Sequence, residues 1–159
     1  MVDPLDALKA FQEDINRGLV HLEICQSNSN CHYVLDVVRG KNRFSCFELR
    51  HSVITAYAGL VNVGAELGVQ RFQIGYAVIE RERSKGLGAV IVNTSITELL
   101  RVVQGFGVYQ VYIEAVVALD NIHSINLSKK CINSEYKEII DHYSGEQALY
   151  FKSFRETVN

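Results

Sequence analysis

The spacing of apolar and polar positions changes several times along the chain, and each change predicts a new element. Four apolar residues near the start recur at helical spacing: Leu5, Leu8, Phe11 and Ile15. Asp3 precedes them as a helix cap, and Pro4 suits the first helical position. Because Gly18 is a typical helix end, the first helix is expected to stop at about residue 17.

Alternating and β-branched runs then predict strands over residues 19–25, 31–38, 43–49, 53–63 and 71–80. Short polar turns separate these runs, which is typical of an antiparallel meander. A helical pattern over 87–104, ended by Gly105 and Gly107, opens the second half of the chain. The later elements are a strand at 109–118, a short helix at 121–130 capped by Asp120 or Asn121, and strands at 136–143 and 148–154.

The order strand, helix, strand across residues 71–118 predicts a parallel pair of strands in the middle of the sheet. A hairpin is expected at each end. The 159 residues are enough for one domain with a sizeable core. The sequence therefore predicts a single α/β (α+β) domain over 1–159, with a mixed, mostly antiparallel sheet and flanking helices.

Composition narrows the classes of function. Apolar residues make up 48% and the net charge is −2, so the chain is expected to be globular and not to bind nucleic acid. It has no apolar run near the length of a membrane span and no signal-peptide pattern. The four cysteines show no zinc spacing, so we expect reduced thiols in a cytoplasmic protein and no metal. A Cys25–Cys31 hairpin disulfide is compatible with the sequence but not required by it.

The stretch between the predicted strand 71–80 and the helix 87–104 has the chemistry of an anion site. Its residues are Arg83, Ser84, Lys85, Gly86, Leu87, Gly88 and Ala89. The two glycines allow close backbone approach, and the first helical amides have no partner within the helix. This arrangement favours a pyrophosphate. The alternative is a tight structural turn; nucleotide hydrolysis is disfavoured because no Gly-Lys-Ser/Thr ends the loop.

Two spaced motifs resemble the GNAT superfamily of acyl-CoA-dependent N-acetyltransferases. The first is Arg83-x-x-Gly86-x-Gly88, with Val78 as the apolar residue five positions before it. The second has an Asn, a small residue three positions on and a Leu six positions on: Asn121, Ser124 and Leu127. The resemblance covers about residues 44–155 and implies the GNAT fold, with acetyl-CoA as cosubstrate and no metal.

The resemblance also implies where the cosubstrate lies. The pantetheine arm would occupy a cleft between two splayed strands, against the backbone of Val78, Ile79 and Glu80. The amides of residues 83–89 would bind the pyrophosphate, and Asn121 would lie near the pantetheine. The implied reaction is direct attack of a primary amine, on a small molecule or peptide, on the thioester. A homodimer is a further expectation from the family, and partners could cover the exposed strand edges.

Catalytic residues are harder to assign. Many family members have a tyrosine general acid where this chain has Ser128, so Tyr136, Tyr143 and Tyr150 are alternatives. Glu114 lies within an apolar strand, where burial would raise its pKa and suit it as a base. The alternatives are that its strand face is exposed or that it pairs with a nearby cation. Glu80 is a second carboxylate candidate.

Further residues complete the list of candidates. Tyr76 and Gln73 are expected to contact the acceptor, and His51 and His32 are further candidates because histidine is a common general acid or base. Acceptor specificity is expected from the first helix and from residues 64–70 and 134–147. The missing tyrosine leaves open a non-catalytic acyl-CoA-binding or regulatory protein, and a plain α/β interaction module is a third interpretation.

Overall fold

The computed structural model describes residues 3–157. Its helices are α1 (Pro4–Asn16), α2 (Leu87–Gln104) and α3 (Ile122–Cys131). Its strands are β1 (Glu23–Ile24), β2 (Cys31–Val38), β3 (Lys41–Arg50), β4 (Val53–Glu66), β5 (Val69–Val78), β6 (Gln110–Ala118), β7 (Lys137–Ile140) and β8 (Gln147–Glu156). A single 3₁₀ turn (Glu80–Glu82) separates β5 from the loop before α2.

The strands form one sheet in the order β1-β2-β3-β4-β5-β6-β8-β7. Every neighbouring pair is antiparallel except β5 and β6, which are parallel and are connected through α2. The predicted mixed, mostly antiparallel sheet with flanking helices is therefore confirmed, as is the parallel pair in its middle.

The helices cover the two faces of the sheet unequally. α2 and α3 pack on one face, over a large core that includes Phe44, Phe72 and Phe151. α1 packs on the other face, where Phe11 contacts Phe47 and Tyr57. Among the described residues, no helix has the length and apolar character needed to cross a bilayer.

Several predicted boundaries were wrong. The expected strand at 19–25 is reduced to Glu23–Ile24. β4 continues past the predicted turn, because Gly64 forms a bulge in which its amide donates to the Asn62 side chain. The reversal comes at Leu67 and Gly68, both with positive φ. β7 stops at Ile140, because the Asp141 carboxylate accepts hydrogen bonds from the amides that follow it.

The four cysteines are buried free thiols. Cys25 and Cys31 are not joined by a disulfide, and the Cys25 sulfur lies 3.8 Å from the sulfur of Cys46. Hydrogen bonds with Cys25 and Cys31, together with burial, raise the pKa of Cys46. All four belong to the large core, in which Cys131 is the last residue of α3.

Candidate active site

Strands β5 and β6 pair along only part of their length. The register runs from Gln70 opposite Val111 to Gln73 opposite Glu114. We call these residues, 70–73 and 111–114, the closed half. Beyond them, residues 74–78 and 115–118 form the open half, in which the two described strands diverge while each keeps its outer neighbour, β4 or β8.

The open half leaves backbone groups unpaired inside a sheet. The Ile79 amide donates to the Thr55 carbonyl on the β4 side, at 3.0 Å. Because backbone groups alternate in direction along a strand, the amide and carbonyl of Val78 face the gap. An extended ligand between the strands would therefore find hydrogen-bonding groups along this edge.

A cleft of about 640 Å³ occupies the gap and the space above it. We call it the central cleft. Its wall is formed by the open half of β5 and β6, the start of α2, one face of α3 and the start of α1. Nine of the predicted site residues line it: Val78, Arg83, Ser84, Gly86, Leu87, Gly88, Ala89, Asn121 and Ser128. Most residues predicted to bind the cosubstrate are thus brought together.

The start of α2 faces this cleft without a cap. Gly86 is the N-cap residue, with φ +80°, and no side chain within residues 3–157 accepts from the first helical amides. The first backbone bond within the helix runs from the Val90 amide to the Gly86 carbonyl, at 3.3 Å. The amides of Leu87, Gly88 and Ala89 are therefore available, and the first turn has no acidic residue. Free amides and the helix dipole together favour an anion here.

The two loop glycines have different roles. Gly86 needs its left-handed conformation, and a Cβ there would meet nothing within 4 Å. A Cβ on Gly88 would lie 3.2 Å from Leu127 Cδ2 and 3.5 Å from Tyr76 Cε2. Gly88 lines the cleft as predicted, and it also lets α2 pack closely against α3 and β5.

The loop cations also differ. Arg83 lines the central cleft, and its Nε donates to the Val78 carbonyl at 3.2 Å. Lys85 lies outside the lining, where its ammonium donates to Glu82 at 3.0 Å and lowers the pKa of that carboxyl. Arg83 is therefore the loop cation directed at the site, whereas Lys85 offsets an acid beside it.

Helix α3 presents a polar face to the cleft. Asn121 caps the helix through its Oδ1, which accepts from the Ser124 amide at 3.1 Å. Ser128, one turn further on, is 5% exposed. The Tyr76 hydroxyl reaches across from β5 and lies 2.9 Å from Ser124 Oγ. Burial raises the pKa of Tyr76.

Sequence reasoning missed this bridge between β5 and α3. It also missed His123 and Lys130 in the cleft wall. The second sequence motif already contains Ser124 and Leu127, and helical spacing from Asn121 places both on one face of α3. Strand alternation with Ile74 and Val78 could have shown that Tyr76 points toward the helices, where a buried hydroxyl needs a partner.

The two carboxylates proposed as bases lie outside the central cleft. Glu114 is 3% exposed and accepts two bonds from Arg71, at 2.7 and 3.0 Å, on the face opposite α2. Glu80 is exposed in the 3₁₀ turn, and Ile79 beside it packs near α1. Of the alternatives that the sequence left open for Glu114, the structure shows pairing with a cation, Arg71. Neither carboxylate is in position to act on a ligand in the cleft.

The remaining candidates are scattered. His51 lies in the exposed β3–β4 turn and His32 on β2, while Tyr136 and Tyr150 are also outside the cleft lining. Gln73 and Tyr143 line a second pocket of about 130 Å³ on the face of α1. Tyr76 and Gln73 therefore point to opposite faces of β5. Because Pro4 and Gly75 line both spaces, the second pocket adjoins the central cleft through the sheet.

Comparison with solved structures finds the same fold in several acetyltransferases. The chain is similar to Mycobacterium smegmatis RimJ in complex with CoA-disulfide, with a TM-score of 0.55 and 16% identity over 72% of this chain and 54% of that one. It is similar to the ribosomal-protein-S5-alanine acetyltransferase from Vibrio fischeri, with a TM-score of 0.51 and 12% identity over 75% and 63% of the two chains. A third is the GNAT domain of S. lividans PAT, with a TM-score of 0.50 and 14% identity over 70% and 61%.

The match spans less than two thirds of each of these three chains. No protein-family sequence model and no curated protein sequence matches this chain. The fold is nevertheless clear: one mixed, mostly antiparallel eight-stranded sheet with three helices, matching the fold of these GNAT acetyltransferases.

Proposed function

We propose that this protein transfers an acetyl group from acetyl-CoA to an amine on a small molecule or peptide. The observation that supports it best is a single cleft in which unpaired strand edges meet an uncapped helix start. The first feature suits an extended amide-bearing arm and the second suits a pyrophosphate. The fold shared with GNAT acetyltransferases is consistent with this use of the cleft.

The described residues fit an acyl-CoA in both size and chemistry. A cleft of about 640 Å³ is within the range of small-molecule and cofactor sites. The amides at the start of α2 and the Arg83 guanidinium would hold the phosphates. The Val78 backbone would pair with the arm, while Asn121, whose Oδ1 already accepts from Ser124, would offer its amide hydrogens.

The second pocket gives the acceptor a separate route. It opens on the face of α1 and meets the central cleft at Gly75, so an amine could arrive on the side opposite the phosphates. When bound, acetyl-CoA supplies an acyl carbonyl activated as a thioester. The Val78 amide would polarise that carbonyl, and the two walls would orient a neutral amine toward it.

Calorimetric titration with acetyl-CoA tests the proposal. We expect saturable binding to the wild type and none to Gly86→Trp, whose side chain would project into the mouth of the cleft. Gly145→Trp is the matched control, because Gly145 also has positive φ and open space around it but lies in the β7–β8 turn. If the folded wild type does not bind acetyl-CoA, the proposal is wrong and the loop is a structural turn.

A non-catalytic acyl-CoA-binding protein is the second candidate, and Ser128 favours it. A serine hydroxyl is a weak proton donor at the position where many proteins of this family have a tyrosine. Release of free thiol during incubation with a panel of amines separates the two functions. Binding without turnover of any amine would favour the regulatory alternative.

A further inference from the structure

Tyr76 occupies a special place at the bottom of the central cleft. It lies three positions beyond Gln73, where the pairing of β5 with β6 ends. Its half-buried ring packs toward Gly88, and its hydroxyl spans the gap to Ser124 Oγ at 2.9 Å. It is thus a phenol fixed in orientation at the narrow end of the space in which an acyl group would lie.

The proposed reaction needs a proton donor at this place. As the bond from carbon to sulfur breaks, the sulfur acquires negative charge that a nearby O–H can stabilise. Val78 lies two residues further toward the open end, about 7 Å along the strand. If the Val78 amide holds the carbonyl, the departing sulfur lies within reach of side chains on this face of β5 and on α3. Ser128 has the less acidic hydroxyl.

We propose that Tyr76 donates its phenolic proton to the leaving thiolate, an inference that rests on the proposed function. The bond between acyl carbon and sulfur breaks as that between acyl carbon and amine nitrogen forms. The sulfur gains the Tyr76 proton, and the nitrogen loses one proton to solvent. Ser124 Oγ then donates to Tyr76 Oη, and water beyond Ser124 restores the phenol. Because burial raises the pKa of Tyr76, its hydroxyl is protonated before the bond between carbon and sulfur breaks.

The first test measures a proton equilibrium and needs no turnover. Unacylated CoA carries a free thiol, and its thiolate absorbs in the ultraviolet. A pH titration of this absorbance gives the apparent pKa of the thiol of CoA bound to the protein. A hydrogen bond from Tyr76 stabilises the bound thiolate, so this pKa should rise by about one to two pH units in Tyr76→Phe. The phenylalanine ring keeps the packing toward Gly88. The Kd for acetyl-CoA should therefore stay within about twofold of the wild-type value, a smaller change than the loss of one hydrogen bond to the ligand would cause.

Tyr112→Phe is the matched control. Tyr112 is a strand tyrosine on β6, packed against Phe154 outside the cleft lining. Its removal should leave the thiol pKa, the affinity and the rate unchanged. In turnover with a reactive amine, Tyr76→Phe should lower kcat by about 100-fold with little change in KM, as for loss of a general acid. The loss should shrink for thioesters of more acidic thiols, which leave without a proton.

The outcomes separate the two proposals. Wild-type protein that does not bind CoA would reject the proposed function itself. Wild-type protein that binds and turns over, with Tyr76→Phe equal to it in thiol pKa and kcat, would overturn the role of Tyr76 alone. Tyr76→Phe could instead bind acetyl-CoA more tightly than the wild type with no change in the thiol pKa. That result would also overturn the role of Tyr76, because the hydrogen bond to Ser124 would then serve to hold the cleft closed.

Discussion

The two halves of the β5–β6 pair use the same strands for different purposes. In the closed half, Glu114 is buried and bound by Arg71 from the neighbouring strand. In the open half, residues of the same strands turn backbone groups toward a cleft. A strand pair can therefore be rigid at one end and available to a ligand at the other, over a distance of a few residues.

The difference lies in how polar groups are satisfied. The closed half meets its hydrogen-bonding needs within the protein, through the ladder and one charged pair. In the open half, the backbone groups that face the gap are available for hydrogen bonds with a bound ligand. We therefore expect substitutions in the closed half to affect stability most, and substitutions around the open half to affect ligand binding most.

The largest expected effect comes from breaking the closed half. Arg71→Met leaves the buried Glu114 carboxylate without its cation, which typically costs about 3 kcal/mol or more. The melting temperature should fall by roughly 6–12 °C in a protein of this size. Thermal unfolding at neutral pH measures this.

An exposed ion pair provides the control for that change. Lys152 forms an ion pair with Glu66. Unlike Glu114, Glu66 is exposed, at the end of β4. Glu66→Gln should leave the melting temperature nearly unchanged, because exposed pairs contribute little. Equal losses in Arg71→Met and Glu66→Gln would contradict the importance given to the closed half.

A second effect concerns a buried carboxylate away from both halves. Burial by itself raises the pKa of Glu98 in α2, but the Ser27 amide at 2.7 Å and Arg101 at 2.9 Å outweigh it and hold the pKa below its ordinary value. The stabilisation is therefore present above the unfolded-state pKa of about 4.3 and is lost as pH falls through the folded-state pKa.

The corresponding variant is Glu98→Gln. It should be about 2 kcal/mol less stable than the wild type at pH 7, since hydrogen bonds to a charged group are lost. The difference should narrow as the pH falls below about 4. Urea unfolding at several pH values measures it, and a pH-independent difference would rule out the charged form as its source. Acetyl-CoA binding at neutral pH should persist.

The smallest expected effect distinguishes the two loop glycines. Gly86→Ala places a side chain in the left-handed region and should cost about 1–2 kcal/mol. Gly88→Ala should stay within about 1 kcal/mol of the wild type, because Leu127 can shift and alanine favours the helix. Urea midpoints compare the two, and a larger loss at Gly88 would show that packing matters more than loop conformation.

Much of the fold could be predicted because its signals are local. The bounds of α2 were predicted correctly, since glycines flank it and apolar residues repeat at helical spacing within it. The parallel pair followed from the order of elements. The predicted strand at 19–25 was wrong in its bounds, because only Glu23 and Ile24 of this stretch pair with β2.

The site was predictable only where it depends on neighbouring residues in the chain. The loop at 83–89 and the cap at Asn121 were found for that reason. The sequence could not decide between a catalytic and a paired Glu114, because Arg71, its cation, is 43 positions away in sequence. The contact between Tyr76 and Ser124 spans 48 positions and exists only after α2 has returned the chain to the sheet.

The splay of β5 from β6 also means that part of a strand edge is open both while the chain is synthesised and after it has folded. Residues 69–78 are synthesised well before β6, so the inner edge of β5 stays unpaired while the chain grows. Part of that edge remains unpaired in the finished sheet, where an extended segment of another chain could add to it. Arg83, by donating to the Val78 carbonyl, occupies one position on this edge. We therefore expect Arg83 to make this position on the edge less available to a strand of another chain.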